Sequence, residues 1–383
     1  MRIAFDARCY NGSGVGTYVR ELLKGLAQLR SGLEVVILES PGNPVPVPHS
    51  PWISRAIVRS TRFSIKEQFE LPAICRSLNI DVFHLPFQYG APLMLPCPMI
   101  ITVHDLIPFL FRTRSWPIQL TAVPFVRLAY RSAALKANHV ITPSRRTAQD
   151  LQSMLGVSLD RITAIHLGAD ASSFHANASR EELEQLNRNY GVRMPYVVVG
   201  SAGNWRTKNL RTSLQALALA RQITGAGFQT VVYGLDKGID LLVQRHSTFG
   251  LDLCRTGYVS VTDLGALFRH AQLFICSPLY EGFGLPAVEA MSCGCPVVSS
   301  NAGSLPEVIG AGGQMFDPTD ADGMAQAVAS LLTKPEELET WRARALDRAT
   351  RFSWRKCAEQ TIAVYRSVYE SACERERVLD SAA

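Results

Sequence analysis

Two glutamates lie in a segment that has the composition of an anion-binding loop. The segment reads LYEGFGLPAVEAMSCGCPVVSS from residue 279 to 300, with seven residues between Glu281 and Glu289. Its glycines let a loop approach a ligand closely, and its proline suits the first turn of a helix. The free N–H groups and the dipole at a helix start favour a diphosphate. We expect these N–H groups to come from Phe283, Gly284 and Leu285.

The two carboxylates would flank this cradle and accept hydrogen bonds from sugar and ribose hydroxyls. A capping glutamate and a helix-face glutamate are the alternative interpretation, because acids are common in the first turn of any helix.

A second loop, GNWRTKNL from residue 203 to 210, follows a predicted strand and opens a predicted helix. Open α/β sheets bind ligands at such positions. Arg206 and Lys208 could neutralise a departing diphosphate there, which is electrostatic stabilisation of developing charge. Two solvated surface cations are the alternative.

Three glycines, Gly12, Gly14 and Gly16, follow the predicted strand RIAFDA and precede a helix. A dinucleotide site has a similar composition, but its fingerprint is G-x-G-x-x-G and the spacing here is G-x-G-x-G. An oxidoreductase that binds a dinucleotide at this loop is therefore a weakly supported alternative.

His104 follows the apolar run MIITV, so we expect it at the carboxyl edge of a buried strand. A neutral imidazole at that edge could hydrogen-bond a sugar hydroxyl or a developing charge. Packing in a core is the alternative role for a lone histidine. Ser144 and Arg145 end another predicted strand and are weaker candidates for the same edge.

These residues need a scaffold that brings the ends of several strands together. The chain has 383 residues, more than one hydrophobic core usually fills, which predicts two domains. Short β-rich runs alternate with helical patterns, as in doubly wound α/β domains with parallel sheets. We predict a Rossmann-like domain over residues 1–173, a second over 174–354, and a final helix at about 355–383 that returns to the first domain.

Composition excludes several classes of protein. Hydrophobic residues make up 47% and charged residues 19% of the chain, and no apolar run approaches the roughly 18 residues of a membrane-spanning helix. The first residues lack the apolar stretch of a secretory signal, so we expect a cytoplasmic protein.

Nine cysteines without CxxC spacing indicate packing thiols. Asp320 and Asp322 form a D-x-D pattern at a predicted helix start, where capping explains them. We expect neither a metal nor a nucleic-acid partner.

Two stretches of the first half contain cations and no acids. Four cations between residues 52 and 66 are spaced 4, 3 and 4 residues apart, which would place them on one helical face. These are Arg55, Arg59, Arg62 and Lys66, interleaved with Trp52, Ile53, Ile57 and Phe63. The second stretch, from Arg112 to Arg131, adds Trp116 and Phe125. Cations mixed with aromatics suit an anionic lipid surface, which predicts peripheral contact with the inner face of the cytoplasmic membrane. A solvated helix face is the alternative.

The segment EGFGLPAVEAMSCGCPVV resembles the E-x7-E motif of glycosyltransferase family 4, whose members are retaining enzymes with the two-domain GT-B fold. The resemblance covers nearly the whole chain. It continues through GSGVGTYVRELLKGL, DVFH, ITVHDLIP, VITPSRRTAQDL, HLGAD, GNWRTKNL, GSLPEVIG and FSWRKCAEQT. The chain is similar to bacterial polysaccharide mannosyl- and rhamnosyltransferases.

The resemblance implies a role for each candidate. Glu281 would contact hydroxyls of the donor sugar, and Glu289 the ribose of the nucleotide. The resemblance supports a phosphate-binding role for Lys208 better than for Arg206, since family members often have R-K-N where this chain has R-T-K-N. The loop of Gly14, Val15 and Gly16 would face a deep cleft between the domains, near the donor phosphates and the acceptor. His104 would face the same cleft, close to the transferred sugar.

The predicted reaction is transfer of a sugar from a nucleotide-diphosphate donor, without cofactor or metal. GDP-mannose is the first candidate donor by resemblance, with a UDP- or dTDP-sugar as the alternative. The expected acceptor is a saccharide, either polysaccharide or polyprenyl-linked, in cell-surface glycan synthesis. Retention normally needs a carboxylate nucleophile on the far face of the sugar, and no residue suits that role, so we expect same-face attack. A non-catalytic sugar-binding protein on the same fold is a further alternative.

Overall fold

The computed structural model describes residues 1–12, 14–88, 90–92, 94–111, 118–200, 207–234 and 250–382, and of residues 118–123, 379–380 and 382 the backbone alone. Contacts divide the chain into two compact units. Unit 1 consists of Met1–Leu167 with Trp354–Ala383, and unit 2 consists of Gly168–Ser353. The division therefore falls a few residues before the boundary at 173 that the sequence predicts.

The described residues form parallel strands and helices in alternation. The strands are β1 Arg2–Asp6, β2 Glu34–Glu39, β3 Ile53–Ile57, β4 Val82–Leu85, β5 Met99–Thr102, β6 His139–Thr142, β7 Ile162–Ala164, β8 Tyr196–Gly200, β9 Gln229–Tyr233, β10 Asp252–Gly257, β11 Leu273–Cys276, β12 Val297–Ser300 and β13 Gly313–Phe316. The helices are α1 Gly14–Gln28, α2 Glu67–Ser77, α3 Ile107–Leu110, α4 Ile118–Lys136, α5 Arg145–Leu155, α6 Arg180–Tyr190, α7 Leu210–Thr224, α8 Val261–His270, α9 Leu285–Ser292, α10 Leu305–Ile309, α11 Ala321–Thr333, α12 Pro335–Ala349 and α13 Trp354–Ala382.

Unit 1 contains a seven-stranded parallel sheet in the order β3-β2-β1-β4-β5-β6-β7. Its inner strands β1, β4 and β5 are almost entirely buried and mostly apolar, as expected for strands covered by helices on both faces. The strand order reverses between β1 and β4. Because ligands bind outside the carboxyl ends of strands at such a switch point, this edge of unit 1 is where a site is expected.

Unit 2 contains a six-stranded parallel sheet in the order β10-β9-β8-β11-β12-β13. Here the order reverses between β8 and β11, which places the carboxyl ends of these two strands at the second switch point. Both units are thus doubly wound, as the sequence predicts. The helix expected at 236–246 lies outside the described residues.

The final helix, α13, belongs to unit 1 and packs against α1. Gly25 of α1 permits this close approach, because a Cβ there would lie 2.8 Å from Cβ of Ala358 and 3.2 Å from the carbonyl oxygen of Trp354. The prediction that the C-terminal helix returns to the first domain is confirmed.

The helical face predicted for residues 55–66 is wrong. Residues 53–57 form the edge strand β3, and α2 begins only at Glu67. The guanidinium of Arg55 donates to Oε2 of Glu39 at 2.7 Å and to the carbonyl of Val45 at 2.9 Å. Arg62 instead stacks over the ring of Phe87, 3.9 Å from its centroid. An edge strand is exposed on much of its surface, so its charged positions can imitate a helical spacing.

Helix caps account for several polar residues that might otherwise suggest chemistry. Asp320 accepts a hydrogen bond from the Gly323 N–H at 2.8 Å and caps α11, as predicted. Ser144 is fully buried and caps α5 by accepting from the Thr147 N–H at 3.1 Å. Capping is thus one of the contacts of Ser144, a weaker candidate for the sheet edge.

Candidate active site

The carboxyl edge of the unit 2 sheet brings together three of the predicted residues, Lys208, Glu281 and Gly284. A recess of about 450 Å³, counting the solvent at its mouth, opens at this edge between the end of β11 and the start of α9. Its walls include Lys208, Tyr233, Glu281, Gly284, Pro286 and Leu305.

Lys208 and Glu281 form an ion pair at this recess, between Nζ and Oε1. Both side chains keep some access to solvent, with exposed fractions of 27% for Lys208 and 16% for Glu281. A cation and a carboxylate in contact at the edge of a recess can each bind a different part of a bipolar ligand. Lys208 suits a phosphate, and Glu281 suits hydroxyl groups. Arg206 lies outside the described residues.

The loop that carries Lys208 is fixed against the end of β11. The carbonyl of Thr207 accepts from the Leu279 N–H at 2.8 Å, and the carbonyl of Asn209 accepts from Oγ of Ser277 at 3.1 Å. Asn209 adopts a left-handed conformation with φ of 52° and starts α7. These bonds place Lys208 beside the loop of Glu281.

The backbone of Glu281 is clamped by residues that follow β12. Both the N–H and Oγ of Ser304 donate to the Glu281 carbonyl, each at 3.0 Å. Gly303 has φ of 61°, and a Cβ there would lie 2.5 Å from the same carbonyl oxygen. Glycine is therefore required for the approach. The GSLPEVIG motif carries the family resemblance, but nothing in its sequence alone predicts a site role for these two residues.

The start of α9 provides fewer N–H groups than a regular helix does. Gly284 precedes the helix with φ of 91°, and a Cβ there would lie 2.5 Å from Cδ2 of Leu305. Pro286 has no N–H, and the Ala287 N–H donates to the Gly284 carbonyl at 2.9 Å. Within the described part of the chain the N–H groups of Gly284 and Leu285 find no acceptor. They can bind an anion, while the side chain of Phe283 is buried with its ring against Phe352.

Glu289 lies deeper, on the second turn of α9, and is 9% exposed. It does not line the recess, but it approaches Tyr233 at the end of β9. Burial, then the charge of Glu289, and also those of Cys276 and Glu281, raise the pKa of the Tyr233 phenol well above its usual range. The phenol therefore stays protonated and able to donate a hydrogen bond. Sequence reasoning missed Tyr233; its position at a strand end, in FQTVVYG, was the available signal.

His104 lies at the carboxyl edge of the unit 1 sheet, two residues beyond the end of β5. Its Nε2 lies 2.9 Å from the carbonyl oxygen of Pro86, which can only accept, so Nε2 carries the hydrogen. Burial lowers the pKa of His104 to about 4, although part of the side chain remains accessible. At neutral pH the ring is therefore uncharged, and Nδ1 is a hydrogen-bond acceptor.

The glycine loop of unit 1 begins α1 at the same edge. Gly14 is exposed, Val15 is partly buried and Gly16 is buried. A Cβ at Gly16 would collide with the carbonyl oxygen of Tyr10. Close packing of backbone therefore explains this glycine without a dinucleotide. The structure thus distributes the candidates over two sheet edges, one in each unit.

Two family models match the chain. Residues 12–173 match the model described as Glycosyltransferase Family 4, and residues 184–348 match Glycosyl transferases group 1. The O-antigen chain mannosyltransferase B of Escherichia coli is 34% identical over 234 residues, which span 60% of this chain and 61% of that protein. The MMP alpha-(1->4)-mannosyltransferase of Mycolicibacterium hassiacum is 30% identical over 307 residues, which span 75% of this chain and 70% of that protein.

A solved structure has the same fold. Anabaena HepE in complex with UDP-glucose superimposes with a TM-score of 0.72 and 18% sequence identity, over 96% of this chain and 99% of that chain.

Proposed function

This chain belongs to glycosyltransferase family 4, and from that membership we propose that it transfers a hexosyl group from a nucleotide-diphosphate sugar to a saccharide acceptor. Its fold is the GT-B architecture expected from the sequence. The observation that carries the proposal is the pairing of Lys208 with Glu281 beside the start of α9. In this proposal Lys208 binds phosphate and Glu281 binds hydroxyl groups at one recess, beside the two backbone N–H groups at the start of α9.

In this proposal the donor diphosphate lies against Lys208 and the N–H groups of Gly284 and Leu285. These donors stabilise the charge that develops on the leaving group as the glycosidic bond breaks. Glu281 then accepts hydrogen bonds from the donor sugar. Arg206 as a second cation and Glu289 as the ribose ligand are assigned by family resemblance.

His104 acts on the sugar as an acceptor. Its Nε2–H is already engaged by Pro86, so a neutral imidazole offers only Nδ1 to a ligand. We assign it to a hydroxyl of the transferred sugar, since an acceptor cannot stabilise negative charge on the leaving group.

We propose that the anomeric configuration is retained by same-face attack. Glu281 and Glu289 are both assigned to donor binding, and His104 to a hydroxyl, so none of them is assigned as a far-face nucleophile. The acceptor hydroxyl would approach beside the departing diphosphate, whose oxygen takes the proton.

The proposed donor is GDP-mannose, because two relatives are named mannosyltransferases. A UDP- or dTDP-sugar is the alternative, since HepE, which shares the fold, was solved in complex with UDP-glucose. The proposed acceptor is a lipid-linked saccharide or polysaccharide of the cell surface, in keeping with the O-antigen relative.

We also propose peripheral binding to the inner, anionic face of the cytoplasmic membrane, through a surface that shares Arg59, Lys66 and Phe125 with the sequence prediction but is not the predicted helical face. Among the described helices none combines the length and apolarity needed to span a bilayer. Helices α2 and α4 pack on the same face of the unit 1 sheet, since their buried residues share one core. Their outer sides and the segment before α2 expose large apolar residues, which we call the α2–α4 surface: Phe63, Ile65, Phe69, Phe125 and Leu128.

The charge of the α2–α4 surface favours an anionic bilayer as the partner. Exposed cations surround the apolar residues: Arg59, Lys66, Arg127 and Arg131. The acids nearby are engaged internally. Glu67 is buried against Arg8, at 2.5 Å, and Glu70 accepts from the N–H groups of Arg59 and Ser60. Each cation near an anionic surface adds about 1 kcal/mol to binding.

A donor screen tests the proposed reaction. Wild-type protein is incubated with GDP-mannose, UDP-glucose and a dTDP-sugar, and nucleoside diphosphate release is measured with and without saccharide acceptors. We expect release from one donor class, greatly reduced by Lys208→Ala. Lys334→Ala, an exposed lysine of the same unit that pairs with Glu337, serves as the matched control. Equal rates in the two variants would contradict the assigned site.

A further inference from the structure

Four polar side chains form a buried hydrogen-bonded chain behind His104. The hydroxyl of Tyr365 lies 2.6 Å from Nδ1 of His84, and Nε2 of His84 lies 2.9 Å from Oγ1 of Thr102. The same Oγ1 lies 3.0 Å from the hydroxyl of Tyr18. The chain thus connects α13, β4, β5 and α1, and each of its four residues is at most 1% exposed.

Burial of these groups is costly for stability unless their hydrogen bonds are made. Burial, and then the proximity of His104, lower the pKa of His84 to about 3, so its imidazole is neutral. Apolar residues of the same shape could fill this space at little cost. A satisfied polar network instead fixes the orientation of its members.

Tyr18, the last member of this hydrogen-bonded network, contacts the candidate site residue His104. The ring of Tyr18 meets the ring of His104 edge-on, with centroids 4.9 Å apart and an interplanar angle of 77°. Tyr18 also lies near the start of α1, just after Gly14 and Gly16. The hydroxyl end of Tyr18 is held by Thr102 while its ring packs on His104.

His104 is therefore fixed from two directions. The carbonyl of Pro86 binds Nε2–H, and Tyr18 limits rotation of the ring. This leaves Nδ1 as the atom that can face a ligand.

We propose that Tyr18, held through Thr102 by His84 and Tyr365, is a positioning residue that aims Nδ1 of His104 at a hydroxyl of the transferred sugar. This rests on the proposed function, because it takes His104 as a sugar contact. It assigns a positioning role to a network of unit 1, including its C-terminal helix, that sequence reasoning did not identify. Tyr18 does not touch the sugar and acts through His104.

Tyr18→Phe tests the proposal, because it removes the hydroxyl and keeps the ring. We expect kcat to fall about tenfold with little change in the donor KM, as expected for lost orientation of a catalytic group. The imidazole of His104, followed by NMR of isotopically labelled protein, should also titrate at a higher pH, since a less constrained ring is better hydrated. Tyr365→Phe, at the far end of the chain, should change both quantities in the same direction by a smaller amount.

Tyr196→Phe is the matched control. Tyr196 is equally buried, but in unit 2, and its hydroxyl donates to the Leu267 carbonyl at 2.9 Å. This variant loses one buried hydrogen bond, and we expect its kcat and the titration of His104 to stay unchanged. Thermal unfolding of all three variants shows whether they fold.

The outcomes separate the inference from the proposed function. If His104→Gln impairs transfer while Tyr18→Phe and Tyr365→Phe behave like Tyr196→Phe, the positioning role is overturned and the transferase assignment stands. If either positioning variant fails to fold, the other decides by the same kinetic and NMR measurements. If His104→Gln transfers at the wild-type rate, the sugar-contact role fails and the inference with it.

Discussion

Lys208 and Glu281 are paired with each other at the recess of unit 2, through Nζ and Oε1. In the proposed reaction they have different partners, since Lys208 binds the diphosphate and Glu281 the sugar. We therefore propose that donor binding breaks the pair. A diphosphate offers Lys208 a stronger anion than a carboxylate does, and its arrival frees Glu281 to accept from sugar hydroxyls. Diphosphate recognition and sugar recognition are in this way linked.

Glu281→Gln should separate binding from catalysis. Without the competing carboxylate, GDP or the nucleoside diphosphate of the preferred donor should bind about 3- to 10-fold more tightly, because a pair worth about 1 kcal/mol is no longer broken. Transfer should fall by about 100-fold or more, since the sugar contact acts mainly in the transition state. Calorimetry and initial rates measure the two effects. Glu289→Gln is the control, and we expect no tightening there. Unchanged affinity in Glu281→Gln would rule out the exchange of partners, and near-normal turnover would refute the role of Glu281.

Transfer should continue in the presence of EDTA. Lys208, the N–H groups at the start of α9 and, by resemblance, Arg206 supply the positive charge that a metal would otherwise provide. Rates are compared with and without chelator, and after adding back Mg²⁺ or Mn²⁺. A strict requirement for a divalent ion would show that these groups do not suffice.

Stability should fall as the pH drops from 7 to 5. The pKa of buried His84 is about 3 when folded and about 6.5 when unfolded. Between these values the unfolded chain binds one more proton, so stability rises with pH. One such histidine costs roughly 2 kcal/mol at pH 5 relative to pH 7. Urea unfolding at both pH values measures this loss, and His84→Gln should reduce it. An identical pH dependence in that variant would contradict the assignment.

The product should keep the anomeric configuration of the donor. With an α-linked donor, NMR of the purified product should show an α linkage, and intact mass spectrometry during turnover should show no sugar adduct. A β linkage would overturn the retaining assignment. A covalent adduct on any side chain would instead refute same-face attack.

The α2–α4 surface should bind anionic vesicles at low salt. Phe69 is 74% exposed and Phe125 is 70% exposed, so Phe69→Asp combined with Phe125→Asp should remove apolar contact and add repulsion. Leu159→Asp is the control, because Leu159 is exposed and lies outside the α2–α4 surface, just before the edge strand β7. Co-sedimentation with vesicles of phosphatidylglycerol and phosphatidylcholine measures binding. Equal sedimentation of the double variant and the control would reject this surface, as would an absence of wild-type binding.

Local chemistry along the chain was enough to identify much of unit 2. Glycines, a proline and two glutamates at fixed spacing indicated a loop that leads into a helix, and α9 has Pro286 in its first turn as predicted. The alternation of apolar runs with helical patterns likewise indicated two doubly wound sheets, because strands covered on both faces are mostly apolar. The return of α13 to the first unit also followed from its length.

Contacts between distant residues were decided only by the tertiary structure. The clamp of Ser304 on Glu281 and the hydrogen-bonded network from Tyr365 to Tyr18 each join segments that sequence spacing does not relate. The basic residues between 55 and 66 led to a wrong prediction. Their spacing is helical, but they lie in an edge strand and a loop. Periodicity reports only which residues share a face if an element forms. Which element forms, and what lies against it, depends on burial against the rest of the fold.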